Sequence, residues 1–226
     1  MGLTKSKGNM YPWVTHTWNP IKGCGYACPY CYVQKMMERY GYDNTVRLDE
    51  KELSTNLGKG RTIFVGSMGD MWGPWVDVDW IGRVINRCFD FPLNKYVFQS
   101  KNPKRFLQWF VTPNPKFILG TTIETDKYPD GYASFAPRIN DRFNAMLKIP
   151  PGMFKFVTIE PIMDFRVKTI MDMIRIIRPN FVTIGADSKG HGLIEPTWEK
   201  VESLIKELGE EGIEIRQKKN LDRLKK

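Results

Sequence analysis

Short runs of apolar and β-branched residues recur along the chain: RTIFVG (61–66), KYVFQS (95–100), KFILGTTI (116–123), FKFVTIE (154–160), NFVTIG (180–185) and the weaker IEIRQ (213–217). Each is nearly continuous rather than alternating, the pattern of parallel strands covered on both faces. A further strand is expected at Trp13–Trp18. Helix-like segments separate the strands: Tyr32–Tyr40, Val76–Cys88, Lys104–Phe110, Ala136–Lys148, Val167–Ile177 and Thr197–Leu208. In TIMDMIRII, Ile170, Met173, Ile174 and Ile177 share one helical face, and Pro179 stops the helix. The last long helix opens at Glu195-Pro196-Thr197 and closes near Gly209, with proline as starter and glycine as terminator.

This serial alternation predicts six or seven βα units, hence an α/β fold with a parallel sheet, right-handed crossovers and outer helices. An open or partial (βα)6-type barrel fits best, because a closed eight-unit barrel takes about 250 residues and the chain has 226. No repeat, low-complexity tract or linker divides it, so residues 1–226 read as one domain with a basic tail from about 216. Ligands of such folds bind at the C-terminal ends of the strands. Polar residues gather at those ends: Gly66-Ser67-Met68-Gly69-Asp70, Ser100-Lys101, Thr122 and Glu124, Glu160-Pro161, and Thr183-Ile184-Gly185-Ala186-Asp187.

With 42% hydrophobic residues the chain can bury a sizeable core, which argues against disorder. No window reaches the ~18 uninterrupted apolar residues of a membrane span, and the N-terminal segment lacks a secretory apolar core. A cytoplasmic protein with no membrane partner is expected. The balance of 34 Lys+Arg against 25 Asp+Glu gives a formal charge of +9, a field that attracts polyanions without naming one. Seven tryptophans and nine tyrosines suit base stacking as well as an ordinary core. In MGDMWGPWVDVDW, Trp72 and Trp75 are the expected lining of a substrate mouth, and Trp80 is expected to pack in the first turn of a helix.

The chain has four cysteines, and three of them crowd into CGYACPYC as Cys24, Cys28 and Cys31. A long cytosolic chain with so few cysteines is not a disulfide framework, and clustered thiols point to a metal. Three thiolates can hold three irons of a cubane cluster or three corners of a zinc tetrahedron. Zinc needs a fourth ligand, for which His16 is a candidate, but no second short-spaced ligand pair exists. Cys88, in VINRCFDF, reads as a small buried hydrophobe.

The C-x3-C-x2-C spacing with Tyr30 before the last cysteine resembles the cluster loop of the radical S-adenosylmethionine superfamily. The resemblance implies that Cys24, Cys28 and Cys31 ligate three irons of a [4Fe-4S] cluster while S-adenosyl-L-methionine chelates the fourth. It also implies that Gly66, Ser67, Gly69 and Asp70 hold the methionyl ammonium, with Asp70 shorter than the glutamate usual there. Tyr30 would border the cofactor, Thr122 and Glu124 would hold the ribose, and Ile184 and Gly185 would pack on adenine. Lys101 and Glu160 are the catalytic candidates; the alternative is a buried ion pair between them in the barrel mouth.

A closer similarity is to short phage-borne and bacterial radical-SAM-like proteins opening with T-W-N-P-x-x-G-C, here Thr17 to Cys24. Ser100-Lys101-Asn102-Pro103 and Glu160-Pro161 carry it further along the chain. It implies an external electron donor such as flavodoxin or ferredoxin, and DNA or a modified nucleotide as substrate. The implied reaction is isomerisation of a glycyl adduct on thymidine in phage DNA hypermodification, in the host cytoplasm. Two other readings stand beside it: a DNA-repair lyase of the spore-photoproduct type that uses Cys88, and a zinc-stabilised nucleic-acid-binding module.

Overall fold

A computed structural model describes residues 2–8, 10–41 and 43–225. Its strands in chain order are β1 (Thr4–Lys5), β2 (His16–Trp18), β3 (Ile21–Lys22), β4 (Arg47–Leu48), β5 (Thr62–Val65), β6 (Lys95–Gln99), β7 (Phe117–Thr122), β8 (Phe154–Ile159), β9 (Phe181–Ile184) and β10 (Glu214–Gln217). The main sheet runs β1-β2-β5-β6-β7-β8-β9-β10. From β2 to β10 every pairing is parallel, and β1 adds antiparallel to β2 at the edge. Strands β3 and β4 pair separately as a two-stranded ribbon.

The helices are α1 (Tyr32–Tyr40), α2 (Glu50–Leu53), α3 (Val78–Asp90), α4 (Ile139–Leu147), α5 (Val167–Ile177) and α6 (Trp198–Glu210). They make the crossovers expected of six βα units, with one exception. Residues Pro103–Gln108 form a 3-10 helix where an α-helix over Lys104–Phe110 is expected. Proline opens it, and its buried residues Pro103 and Phe106 are three apart, the spacing that a 3-10 turn places on one side. Helix α4 likewise starts after Pro137, later than the expected Ala136, and the Asp77 side chain caps α3 by accepting from the Asp79 amide.

Period-two alternation sorts the strand residues into two cores. One face of the sheet packs on the helices: Ile63, Val65, Tyr96, Phe98, Leu119, Val157, Ile159, Val182 and Ile184 join Ile170, Met171, Ile174 and Ile177 of α5 and Val201, Leu204 and Leu208 of α6. Met171 thus takes a buried place on the α5 stripe, while Met173 is only partly buried. Full burial of such side chains contributes about 1.5–3 kcal/mol each.

The other face, the inside of the partial barrel, is filled by Phe64, Val97, Ile118, Phe156 and Phe181 under the N-terminal segment, whose Tyr11 and Val14 are buried among them. Gly120 makes room there, because a Cβ on it would lie 2.2 Å from the Phe156 ring. Trp13 packs edge-on against Phe156 and Phe181. The lower barrel is therefore filled among the described residues, and its C-terminal end is where strand-end polar residues gather.

The basic C-terminal stretch is not a loose tail. Residues 214–217 are strand β10, Lys219–Lys225 form a 3-10 helix with Leu221 buried, and Arg223 bonds to the Asp187 carbonyl at 3.0 Å. Lys226 lies outside the described residues.

Candidate active site at the cysteine loop

The TWNP segment is the scaffold of the loop. The Trp18 indole is fully buried and donates to the Glu52 carbonyl at 2.9 Å. Asn19 Oδ1 accepts from the Met68 amide at 2.8 Å and from the Ser67 hydroxyl at 3.0 Å, so it holds the turn that ends β5. Lys22 is tied to Asp49 at 2.6 Å. Gly23 then bridges to Gly69, its amide donating to the Met68 carbonyl at 3.2 Å. A Cβ on Gly69 would sit 2.3 Å from the Gly23 oxygen, and one on Gly23 2.6 Å from the carbonyl oxygens of Asn44 and Thr45. Only glycines allow the cysteine loop to lie this close to the strand end.

Past Gly23 the chain makes a tight loop with Ala27 at φ 49° and a Cys31 amide to Cys28 carbonyl bond of 2.9 Å. Cys31 is the N-cap of α1. Cys28 is buried, with its sulfur 3.6 Å from the Ser134 hydroxyl, while Cys24 and Cys31 are partly open. Burial, the Asp70 carboxylate and the two neighbouring thiols together hold the Cys24 thiol up at about 12. A cation among the thiols reverses that balance.

Among the described residues no three His, Cys, Asp or Glu side chains converge as a single-ion site. Around one zinc, sulfurs bound at about 2.3 Å would have to crowd together; three corners of a cubane lie further apart. His16, the fourth zinc ligand that the sequence offers, sits at the start of β2, hydrogen-bonded to Thr15 at 2.9 Å, whereas the cysteines lie beyond the strand's C-terminal end. The loop thus offers three thiols without His16, a donor set compatible with three corners of an iron-sulfur cluster.

Gly66 takes φ 87° and its amide bonds the Trp18 carbonyl at 2.8 Å. Ser67 and Gly69 follow in the same turn, beside Cys24. Asp70 is buried and already engaged: the Ser100 hydroxyl reaches its two oxygens at 2.8 and 2.9 Å, the Lys101 amide at 3.0 Å and the Trp72 amide at 3.0 Å. Burial raises its pKa against these bonds. Asp70 thus locks the β5 and β6 ends together through these bonds, at the position where the resemblance implies a partner for the methionyl ammonium.

Tyr30 enters a buried polar network. Its hydroxyl donates to Glu124 and accepts from Lys101, whose ammonium also lies 2.5 Å from Glu124 and 4.4 Å from the Tyr30 ring centre. Arg142, from α4, bonds Glu124 at 2.8 Å, the Thr122 carbonyl at 3.0 Å and the Tyr128 hydroxyl at 2.9 Å. Burial alone would raise Glu124; Lys101 and Arg142 outweigh it and hold the carboxyl at about 2. Tyr128 stacks on Tyr132 with ring centres 4.1 Å apart.

Lys101 and Glu160 do not pair with each other. Lys101 belongs to Glu124, and Glu160 pairs with Lys218 at 2.8 Å across the far side of the mouth. Thr122 accepts from Gln99 at 3.0 Å on the inner face. Ile184 is fully buried in the helix-side core, so only Gly185 of that pair borders the mouth, where a Cβ would lie 2.8 Å from Glu160. Trp72 is also no mouth residue: it is fully buried, edge-on to Phe98 and Phe106. Trp75 packs on Tyr26 and closes over Gly25. Cys88 is buried on the sheet-facing side of α3, and burial pushes its thiol well up.

Sequence reading missed Arg142, Tyr128, Tyr11 and Lys218. Their only signal is a polar residue at a position whose neighbours are apolar, which also fits ordinary surface residues.

Residues 9–214 match the family model described as "Protein of unknown function (DUF5131)". The chain belongs to that family. None of the curated proteins matches it. Among solved structures, a point mutant of spore photoproduct lyase superposes with TM-score 0.68 at 12% identity over 95% of this chain and 78% of that one. A double mutant of the lyase with bound AdoMet and dinucleoside spore photoproduct gives 0.59 at 13%, over 92% and 63%. A radical SAM methyltransferase from Sphaerobacter thermophilus gives 0.64 at 13%, over 94% and 69%. The DUF5131 chain thus has the fold of radical SAM enzymes, a parallel sheet with outer helices. Among the described residues no helix is long and apolar enough to cross a membrane.

Proposed function

We propose that the chain is a radical S-adenosylmethionine enzyme acting on a nucleic-acid-linked substrate in the cytoplasm. The observation that carries this reading is the cysteine loop: three thiols on one tight turn, pinned at Gly23 against the Gly66–Asp70 strand end. The fold is shared with a lyase that binds AdoMet. Cys24, Cys28 and Cys31 would hold three irons of a [4Fe-4S] cluster, leaving the fourth to the amine and carboxylate of S-adenosyl-L-methionine. When bound and reduced by an external donor of the flavodoxin or ferredoxin type, these groups supply a 5′-deoxyadenosyl radical that takes a hydrogen atom from substrate.

The chain's own residues do the positioning. Gly66 and Gly69 let backbone approach the cofactor, Ser67 and Asn19 fix that turn, and Tyr30, Lys101, Glu124 and Arg142 hold the loop from the other side. Thr122 and Gly185 border the space left for nucleoside and substrate. The aromatic plug of Tyr11, Trp13, Phe156 and Phe181 keeps water from below.

The finer reading rests on the T-W-N-P-x-x-G-C opening and its similarity to short phage-borne proteins. It is isomerisation of a glycyl adduct on thymidine, from nitrogen-linked to carbon-linked, in phage DNA hypermodification. Hydrogen abstraction at the glycyl α-carbon is favoured because amine and carboxylate both stabilise that radical. A charge of +9 suits a DNA substrate. The likeness to spore photoproduct lyase favours a second reading, DNA repair, but Cys88, the thiol such a reaction would draw on, is buried in the helix-side core.

The test is anaerobic reconstitution with iron, sulfide and zinc analysis, followed by incubation with S-adenosyl-L-methionine and adduct-bearing DNA. The expected result is about four irons per chain, 5′-deoxyadenosine and a mass-neutral product. One zinc and no iron overturns the enzyme; turnover of irradiated DNA alone moves the assignment to repair.

A further inference from the structure

The far side of the mouth holds a second polar cluster, on the strands furthest in the sheet order from the β2 end that leads into the cysteine loop. Glu160 follows β8 and Lys218 follows β10, and their charged ends meet at 2.8 Å with both side chains under a fifth exposed, 19% and 17%. Asn220 donates to the Ala186 carbonyl at 2.6 Å and leaves its carboxamide oxygen buried without a protein partner among the described residues. The Thr183 hydroxyl, on the same inner face, is buried and equally unpartnered, with the residue 1% exposed.

Thr122, Thr158 and Thr183 stand side by side on β7, β8 and β9. The Tyr11 hydroxyl lies 2.8 Å from Thr158 and donates to Gln99 at 2.6 Å. Lys218 sits over the Tyr11 ring at 5.3 Å. Buried polar atoms without partners are costly unless something meets them.

We propose that this cluster is the recognition site for the α-amino-acid part of the substrate, its carboxylate on Lys218 and its ammonium on Glu160. The N-linked glycyl ammonium has two hydrogens, and the one not held by Glu160 is accepted by Asn220 Oδ1 or Thr183 Oγ1. The selection is electrostatic. A phosphate would meet the Glu160 carboxylate, a simple cation would meet Lys218, and a neutral ligand entering between them would strand two charges. Only a ligand that carries both signs, an ammonium and a carboxylate on one carbon, replaces the ion pair by two charge-assisted bonds. Gly185 is part of the design, because any side chain there would displace Glu160. The inference rests on the reading of the mouth as the substrate site and names the chemical handle it grips.

The experiment titrates the anaerobically reconstituted full chain with three oligonucleotides. One carries thymine with an N-linked glycyl group, one the glycinamide analogue, and one the N-acetyl analogue. Wild type is expected to bind the glycyl form at least tenfold tighter than either analogue. Lys218→Met is expected to abolish the preference over the amide, and Glu160→Gln the preference over the N-acetyl form. The wild-type panel alone is informative should either variant fold poorly.

Binding of the three forms within twofold, absence of binding, or preferences retained in both variants overturns the proposal. 5′-Deoxyadenosine release is measured in parallel. Charge-dependent binding without release leaves the recognition site standing and removes the proposed reaction; release with no charge preference does the reverse.

Discussion

Gly69 and Gly23 approach so closely that a Cβ on Gly69 would lie 2.3 Å from the Gly23 carbonyl oxygen. The contact joins the cysteine loop to the end of β5, where Gly66 and Ser67 stand, so the proposed cluster ligands and the proposed cofactor turn are held together. Gly69→Ala must therefore push backbone against backbone. Iron bound per chain after anaerobic reconstitution is expected to fall by more than half. Gly209→Ala, in α6 with nothing near its Cβ, is expected to keep its iron and to gain about 0.5–1 kcal/mol in urea unfolding.

Glu124 is held at about 2 against an ordinary value of 4.5 by Lys101 and Arg142, in spite of its burial. A depressed carboxyl stabilises the fold fully above its unfolded value, and that stability is lost as pH falls through the folded one. The urea midpoint of the wild type is expected to drop between pH 4.5 and 2. In Glu124→Gln that drop should be shallower. Arg142→Met, which leaves Glu124 with one cation, should cost about 3–5 kcal/mol at neutral pH.

Single replacement of Cys24, Cys28 or Cys31 by Ala is expected to abolish iron binding and 5′-deoxyadenosine formation, since each would supply one of the three proposed ligands. Cys88→Ala should keep both and lose about 1 kcal/mol of stability to the small cavity it leaves in the helix-side core. Loss of iron in Cys88→Ala would show that the fourth thiol is a ligand.

Trp72→Ala separates a core residue from a mouth residue. Its indole is buried against Phe98, Phe106 and Phe110, so the change should cost about 3–5 kcal/mol in unfolding free energy. Substrate affinity of the folded fraction, measured by titration, should stay within a few-fold of wild type.

The residues of the sequence determined the class of fold and the ligand count. Short, nearly continuous runs rich in β-branched residues read as strands covered on both faces, and their alternation with helical stripes leaves a parallel sheet. Three closely spaced thiols with no fourth nearby are the set from which the proposed cluster ligation is read. These conclusions rest on local periodicity and spacing, which need no knowledge of distant contacts.

Tertiary structure decided which polar residues meet. Lys101 and Glu160 look like partners because both end strands, yet Lys101 found Glu124 and Arg142, while Glu160 found Lys218, 58 positions later. Ile184 and Gly185 are neighbours in sequence, but the two-residue period of a strand sends one to the helices and the other to the mouth. Trp72 was drawn inward by an aromatic pocket assembled from β6 and the 3-10 helix after it. Side-chain partners across a barrel depend on register and crossover lengths summed over many elements, and that sum is available only once the chain has folded.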